Sequence, residues 1–483
     1  MASAANKELT TVEDLIKAVK PFGLWQLCHY SQMAWLIAFL FAVNVAAILF
    51  QITPPYAYVS GAACYHYDFN FSSLSQNFTE AFEELEEAKE NHTLGRRKCH
   101  KWVYNRTIHL SETAVTQFDL VCDNRFGFEY SQTSYFVGFF VGTYLGGSLS
   151  DRFGRKPIGM ALVLLGLLSS VVLSLSPNFV VFVLGRLAVG ACVRGAIIVL
   201  ITHAFEITTT KYRSYAAAIV FVSDGVGNVF VPAFGYLLRD WRVMNSALAA
   251  PLALAALCYF TLSESPRWLL STGRVSEAEH VLKRAAKLNG TELAPDVNLN
   301  LIAKSNEVET QDSKSKSTNF LQIFTIKRGK LVYGRLVAVT FILFIILSAH
   351  ALVYNGLAFR VSLFSGDVFV NNAIAGAAEI PAHLAIGPIM RMGHKKPLLA
   401  LTLMTAVSLL ASRTVPSYDE TVTLVLVMIA KCCITAVVTL SYVLTSEVYP
   451  TGIRNSGLAA CISVARIGSI ASPFVANIGK FVS

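Results

Sequence analysis

The sequence predicts an all-helical membrane protein of two related six-helix halves, the second read here without its last helix. Three observations predict it. Of the 483 residues, 54% are hydrophobic and only 15% charged, where a soluble chain carries about a quarter charged; the mean hydropathy is +0.51. Eleven apolar runs, among them MAWLIAFLFAVNVAAILFQI and IGMALVLLGLLSSVVLSLS, are long enough to cross a bilayer core of about 30 Å as helices. They lack the alternation of a barrel, the other architecture that satisfies backbone groups in lipid. Finally, two polar motifs recur at nearly one offset. SDRFGRKP after the second run returns as MRMGHKKP, its glycine 239 residues later, and Glu206 with Arg213 at the end of the fourth returns as Glu447 with Arg454 at an offset of 241. Parallel repeats of this kind are a transporter architecture, with substrate bound at the midplane between the halves.

The elements follow in order. Residues 1–30 form a polar cytosolic segment with an amphipathic helix and no secretory signal pattern. The first half occupies 31–262, with spans at 31–52, 131–149, 158–176, 179–204, 214–237 and 243–262. Within it, 53–128 is an extracellular loop. Its sequons at Asn70, Asn77, Asn91 and Asn105 mark glycosylation acceptors, and Cys64, Cys99 and Cys122 allow one internal disulfide. A basic central loop, 263–334, is cytosolic by the positive-inside rule, so its sequon at Asn289 should go unused. The second half, 335–483, has spans at 335–357, 368–390, 397–414, 421–446 and 457–479. Loop lysines and arginines account for most of the net charge of +9, so no nucleic-acid partner is expected. No phosphate-cradling Gly-Lys-Ser/Thr loop and no metal-ligand spacing appears. Direct use of ATP, enzyme activity and any cofactor are therefore not expected.

GGSLSDRFGRK closely resembles the cytoplasmic loop motif of the major facilitator superfamily. The resemblance implies a conformational latch. Gly147 would allow close helix approach, Asp151 would cap or pair with a neighbouring helix end, and Arg152, Arg155 and Lys156 would clasp the bundle's cytosolic face, with Gly154 part of the same latch. Glu206 with Arg213 and Glu447 with Arg454 would be paired at helix ends. The second copy has Met390 where the acid stands and His394 for an arginine. SETAVTQFDLVCD, FGYLLRDWR, SESPRWLLSTGRVSEAEHVLKRAAKLNG and SEVYPTGIRNSG narrow the resemblance to the organic cation, organic anion and carnitine transporters of solute carrier family 22. That family implies twelve spans, a plasma-membrane location, a monomer, and a loop disulfide between Cys64 and Cys99 that leaves Cys122 free.

Ionisable residues inside spans are costly and usually face a water-filled path. The candidates are Arg194, Asp224, Glu379, His383, Lys431 and Arg466. The resemblance places Arg194, Glu379, His383, Lys431 and Arg466 at charged cavity positions and Tyr354 and Tyr442 at aromatic ones, and offers no counterpart for Asp224. Packing is the plain alternative for His383, and a geometry-setting ion pair for Lys431 with Glu379. If all six face the cavity, three cations outweigh two carboxylates, and Arg466 can hold a carboxylate by two parallel hydrogen bonds. The expected cargo is therefore an organic anion or a carnitine-like zwitterion. An organic cation is the alternative, and a non-transporting receptor or regulatory protein on the same fold is the second.

Overall fold

The computed structural model describes residues 11–50, 56–57, 65–67, 96–98, 103–104, 112–121, 124, 126–291, 299, 330–361, 367–393, 395–415, 419–449 and 454–477. The four loop sequons, Cys64, Cys99 and Cys122, and His394 lie outside them, and the side chains of Glu447 and Arg454 are likewise not described. Two short antiparallel pairs stand in the first loop, β1 (Tyr56–Ala57) with β4 (Val103–Tyr104) and β2 (Tyr65–Tyr67) with β3 (Arg96–Lys98). Among the described residues, everything else that is regular is helical.

The first half contains α1 (Val12–Ala18), α2 (Leu24–Phe50), α3 (Ala114–Gln117), α4 (Gly127–Phe153), α5 (Arg155–Ser174), α6 (Phe179–Glu206) and α7 (Arg213–Leu238). Its sixth span is composite: α8 (Trp241–Ala249), a 3-10 stretch (Ala250–Leu254) and α9 (Ala255–Thr261). Pro251 has no N–H to give the carbonyl four residues back, so the α-helix breaks there. The short helices α10 (Pro266–Ser271) and α11 (Val275–Asn289) follow. The second half contains α12 (Lys330–Val361), α13 (Val368–Arg391), α14 (Lys395–Thr414), α15 (Glu420–Val448) and α16 (Arg454–Asn477). Side-chain caps start several of these helices: Asn178 accepts from Val181, Asp240 from Arg242 and Val243, and Asp367 from Phe369 and Val370.

Nine of these stretches are both long enough and apolar enough to cross a membrane. The helices α4 and α16, of 27 and 24 residues, have the length but carry more polar residues. Their place explains the composition, for they meet each other across the seam between the halves. The other seam is the more extensive packing of α7 on α13. The repeat exchanges the two seams, since α7 corresponds to α16 and α13 to α4. The matching turns also agree: Gly154 and Gly393, 239 residues apart, both take positive φ, +110° and +92°, where a side chain would be strained.

Helices run past the apolar runs where they find protein partners. The helix α2 starts at Leu24 rather than 31 because Trp25, Gln26 and His29 are buried. Asn289, which ends α11, holds that corner. Its amide donates to the Val19 carbonyl at 2.8 Å and to Gln26 at 3.2 Å, and its oxygen accepts from the Trp25 N–H at 2.9 Å. The same contacts bury the amide that glycosylation would need. Asn289→Ala strands these groups at about 1–3 kcal/mol each. A stability loss of roughly 2–4 kcal/mol is expected, read as a lower thermal midpoint of the purified protein; an unchanged midpoint would show that this corner is solvated.

Candidate functional site

Four helices bring four of the six predicted charges to one cavity between the halves, and a fifth adds Tyr354. The cavity holds about 860 Å³ of non-atom space, its open mouth included, and is lined by Arg194, Asp224, Glu379, Lys431 and Tyr354 among the predicted residues. Lys431 on α15 pairs with Glu379 on α13 at 2.8 Å, with the two side chains 3% and 2% exposed. The pair is fully dressed. Tyr354 donates to the same Glu379 oxygen at 3.2 Å, Asn228 donates to the other at 2.7 Å, and the Lys431 ammonium stands 3.7 Å above the Tyr354 ring. Such a cage is what a charge pair in low dielectric requires.

Arg194 on α6 is held differently. Its guanidinium lies 4.8 Å over Phe41 and 4.5 Å over Phe139, and it donates to the Tyr135 hydroxyl at 3.3 Å. Neither Arg194 nor Asp224 enters an ion pair among the described residues. Arg466 and Tyr442 are not among the lining residues. Arg466 stacks 3.8 Å over Phe139 and donates to Tyr442 at 3.4 Å, so Phe139 carries two guanidiniums. His383 also stays off the lining, stacked on Phe221 of α7 with ring centroids 5.5 Å apart. The count of three cations against two carboxylates therefore becomes two against two in the lining. Helical geometry is the reason: His383 sits one turn from Glu379 on a face turned toward α7, and Arg466 is taken up by aromatic packing.

The motif end of the bundle needs two corrections. Gly147 is not the close-approach glycine, since a Cβ there meets nothing within 4 Å. Gly138, Gly142 and Gly146, spaced by four, are the ones set against α6, because 100° per residue turns Gly147 off that face. Glu206 pairs with Arg155 at 2.9 Å, and among the described residues no ion pair joins it to Arg213. Arg155 also meets Asp151, which is 71% exposed. Asp151 thus pairs with the first residue of α5, as the resemblance allows, and among the described residues its side chain caps no helix. Instead Glu264, missed in the sequence, accepts the backbone N–H groups of Arg155 and Lys156, both at 3.1 Å, at the start of α5. Burial pushes the Glu264 carboxyl above the usual carboxylate range, while the N–H groups of Ser265, Lys156 and Arg155 hold it down. Arg152 lies over its neighbour Phe153 and Lys156 over Tyr259. These contacts join elements of the first half to one another and to Glu264 at the start of the central segment, and none of them reaches the second half.

Sequence reasoning also missed Asn228, Tyr135 and Phe139. A signal existed for each. Asn228 follows Asp224 by one helical turn, and Gln132, Tyr135 and Phe139 form a polar-aromatic stripe on α4 at spacings of three and four.

Comparison with known proteins agrees with this architecture. The family model of the Major Facilitator Superfamily matches residues 112–473. An organic cation transporter protein of Drosophila melanogaster is 31% identical over 386 residues, covering 80% of this chain and 69% of that one. Organic cation/carnitine transporter 2 of Rattus norvegicus is 32% identical over 383 residues, covering 79% and 66%. The chain thus spans about two thirds of the length of these relatives. Among solved structures, the proton:xylose symporter XylE bound to 6-bromo-6-deoxy-D-glucose has the same fold. It superposes with a TM-score of 0.60 at 17% identity over 95% of this chain and 90% of that one. With its repeat, its exchanged seams and its central charged cavity, this chain belongs to the major facilitator superfamily, among the organic cation and carnitine transporters of solute carrier family 22.

Proposed function

We propose that the protein carries small zwitterionic organic ions of the carnitine type across the plasma membrane by alternating access. One observation carries this reading. Glu379 and Lys431 neutralise each other, so the uncommitted charges of the cavity are one cation, Arg194, and one carboxylate, Asp224. A ligand with a carboxylate and a fixed cation complements both. Arg194 would take the carboxylate through its planar fork, and Asp224 with the Tyr354 ring the cationic head. The reading puts the N-terminus and 263–334 in the cytosol and 53–128 outside, with its sequons glycosylated. The contacts among Asp151, Arg155, Glu206 and Glu264 then form a brace that ties the start of the central segment to the first half, moving with it as one body rather than latching it to the second.

The test is uptake into proteoliposomes of carnitine, succinate and tetraethylammonium. Carnitine uptake is expected. Asp224→Asn and Arg194→Gln should each weaken it by about 10–100-fold, the worth of one charged hydrogen-bond partner at roughly 1.5–3 kcal/mol. A protein that carries only succinate or only tetraethylammonium overturns the proposal. The second outcome would favour the organic cation reading, which the two cavity carboxylates and the names of the relatives support.

A further inference from the structure

In the wall of the substrate cavity, we propose that Asp224, Glu379 and His383 form a site for a divalent transition-metal ion of the zinc class, and that metal bound there staples the two halves and stops transport. Each of the three side chains offers one ligand atom, and these atoms all lie within 4.8 Å of one another. His383 supplies a second and independent observation. It is 5% exposed, and neither ring nitrogen has a hydrogen-bond partner. Two unpaired nitrogens on a buried imidazole are costly. The near-parallel stack on Phe221, 17° between planes, occupies the ring's face and leaves its edge, where the nitrogens are, for a ligand.

The donor set selects the ion. Sodium, magnesium and calcium are hard cations that take oxygen ligands. One imidazole nitrogen with two carboxylates suits zinc and its neighbours, which bind three protein ligands and leave a fourth position open. Asp224 lines the cavity, so that open position faces it. Glu379 keeps a role in both arrangements. Lys431 and Tyr354 occupy one of its oxygens and Asn228 the other, and a carboxylate has about four acceptor sites in all. Zinc–ligand bonds of about 2.0–2.2 Å place tetrahedral ligand atoms about 3.5 Å apart, so the three side chains close in by roughly an ångström. That movement is within the reach of side chains on two adjacent helices.

The consequence follows from topology. Asp224 belongs to α7 in the first half, while Glu379 and His383 belong to α13 in the second, and these two helices form the more extensive seam. Alternating access moves one half against the other around the central site. An ion holding ligands from both halves opposes that movement. It also places positive charge beside Asp224 and competes with a cationic head group.

The test uses the purified full chain, with Co²⁺ as a coloured stand-in for Zn²⁺ and no substrate present, so its outcome is independent of what the protein carries. Wild type is expected to bind one Co²⁺ with the visible absorption of a four-coordinate site, and Zn²⁺ should displace it. His383→Leu and the near-isosteric Asp224→Asn should each weaken Co²⁺ binding by at least about tenfold, the loss that even an outer-shell partner causes. Thermal unfolding without metal serves as the control that each variant is folded. If His383→Leu does not fold, Asp224→Asn decides. In uptake assays Zn²⁺ should inhibit wild type and leave His383→Leu near its own metal-free rate. Absence of a Co²⁺ band in wild type, or undiminished Co²⁺ affinity in a folded variant, overturns the proposal.

Discussion

Lys431→Ala is expected to lower the stability of the protein by about 3–5 kcal/mol, the cost of breaking a buried pair by removing one partner, and to abolish uptake. Its ammonium is the partner of a Glu379 carboxylate that is itself 2% exposed. Without it an uncompensated charge remains in a low-dielectric interior. The remaining neighbours, Tyr354 and Asn228, are hydrogen-bond donors of no net charge. Adding Glu379→Gln to Lys431→Ala should recover most of the lost stability, because a neutral amide oxygen can still accept from those donors. Uptake should return in part, since removing both charges together still leaves Arg194 and Asp224 as the uncommitted pair. The measurement is the thermal midpoint of the single and double variants in detergent, alongside uptake. A single variant that melts like wild type would mean that water, rather than Lys431, solvates Glu379.

Gly142→Ala is expected to cost more than about 3 kcal/mol, the upper end of ordinary overpacking, and to reduce the yield of folded protein sharply. A Cβ built on Gly142 falls inside the carbonyl of Ala191 on α6. The obstacle is backbone, which no rotamer change can clear, so the helices must separate. Gly138 and Gly146 meet α6 on the same stripe, against Leu187 and Gly195. This is the small-residue spacing by which membrane helices approach closely when no hydrophobic force drives them together. Gly147→Ala, one residue beyond the stripe, is the matched control. It meets open space and should change stability by no more than about 1 kcal/mol, in the stabilising direction, because alanine favours helix over glycine. Equal thermal shifts in the two variants would show that backbone contact between α4 and α6 does not limit the residue at 142.

The sequence by itself determined the architecture. The bilayer allows few solutions, so apolar length fixes the spans, and a duplicated motif fixes the two halves; Gly154 and Gly393 share one backbone conformation because they share one turn. It also singled out residues that the fold gathers, since an ionisable side chain in a span is expensive enough to be noticed: Arg194, Asp224, Glu379 and Lys431 line one cavity, together with Tyr354, which the family resemblance supplied. It even held the Lys431–Glu379 pair as one of two readings. What only the tertiary structure decided is partnership. Glu206 sits seven residues from Arg213 yet meets Arg155, Glu264 caps a helix more than a hundred residues away from it in sequence, and Arg466 turns to Phe139 and Tyr442 instead of the cavity. Charged groups choose partners by distance and dielectric, and both are set by where helices cross. A residue's type states what it needs; the packing of helices from both halves decides which neighbour supplies it.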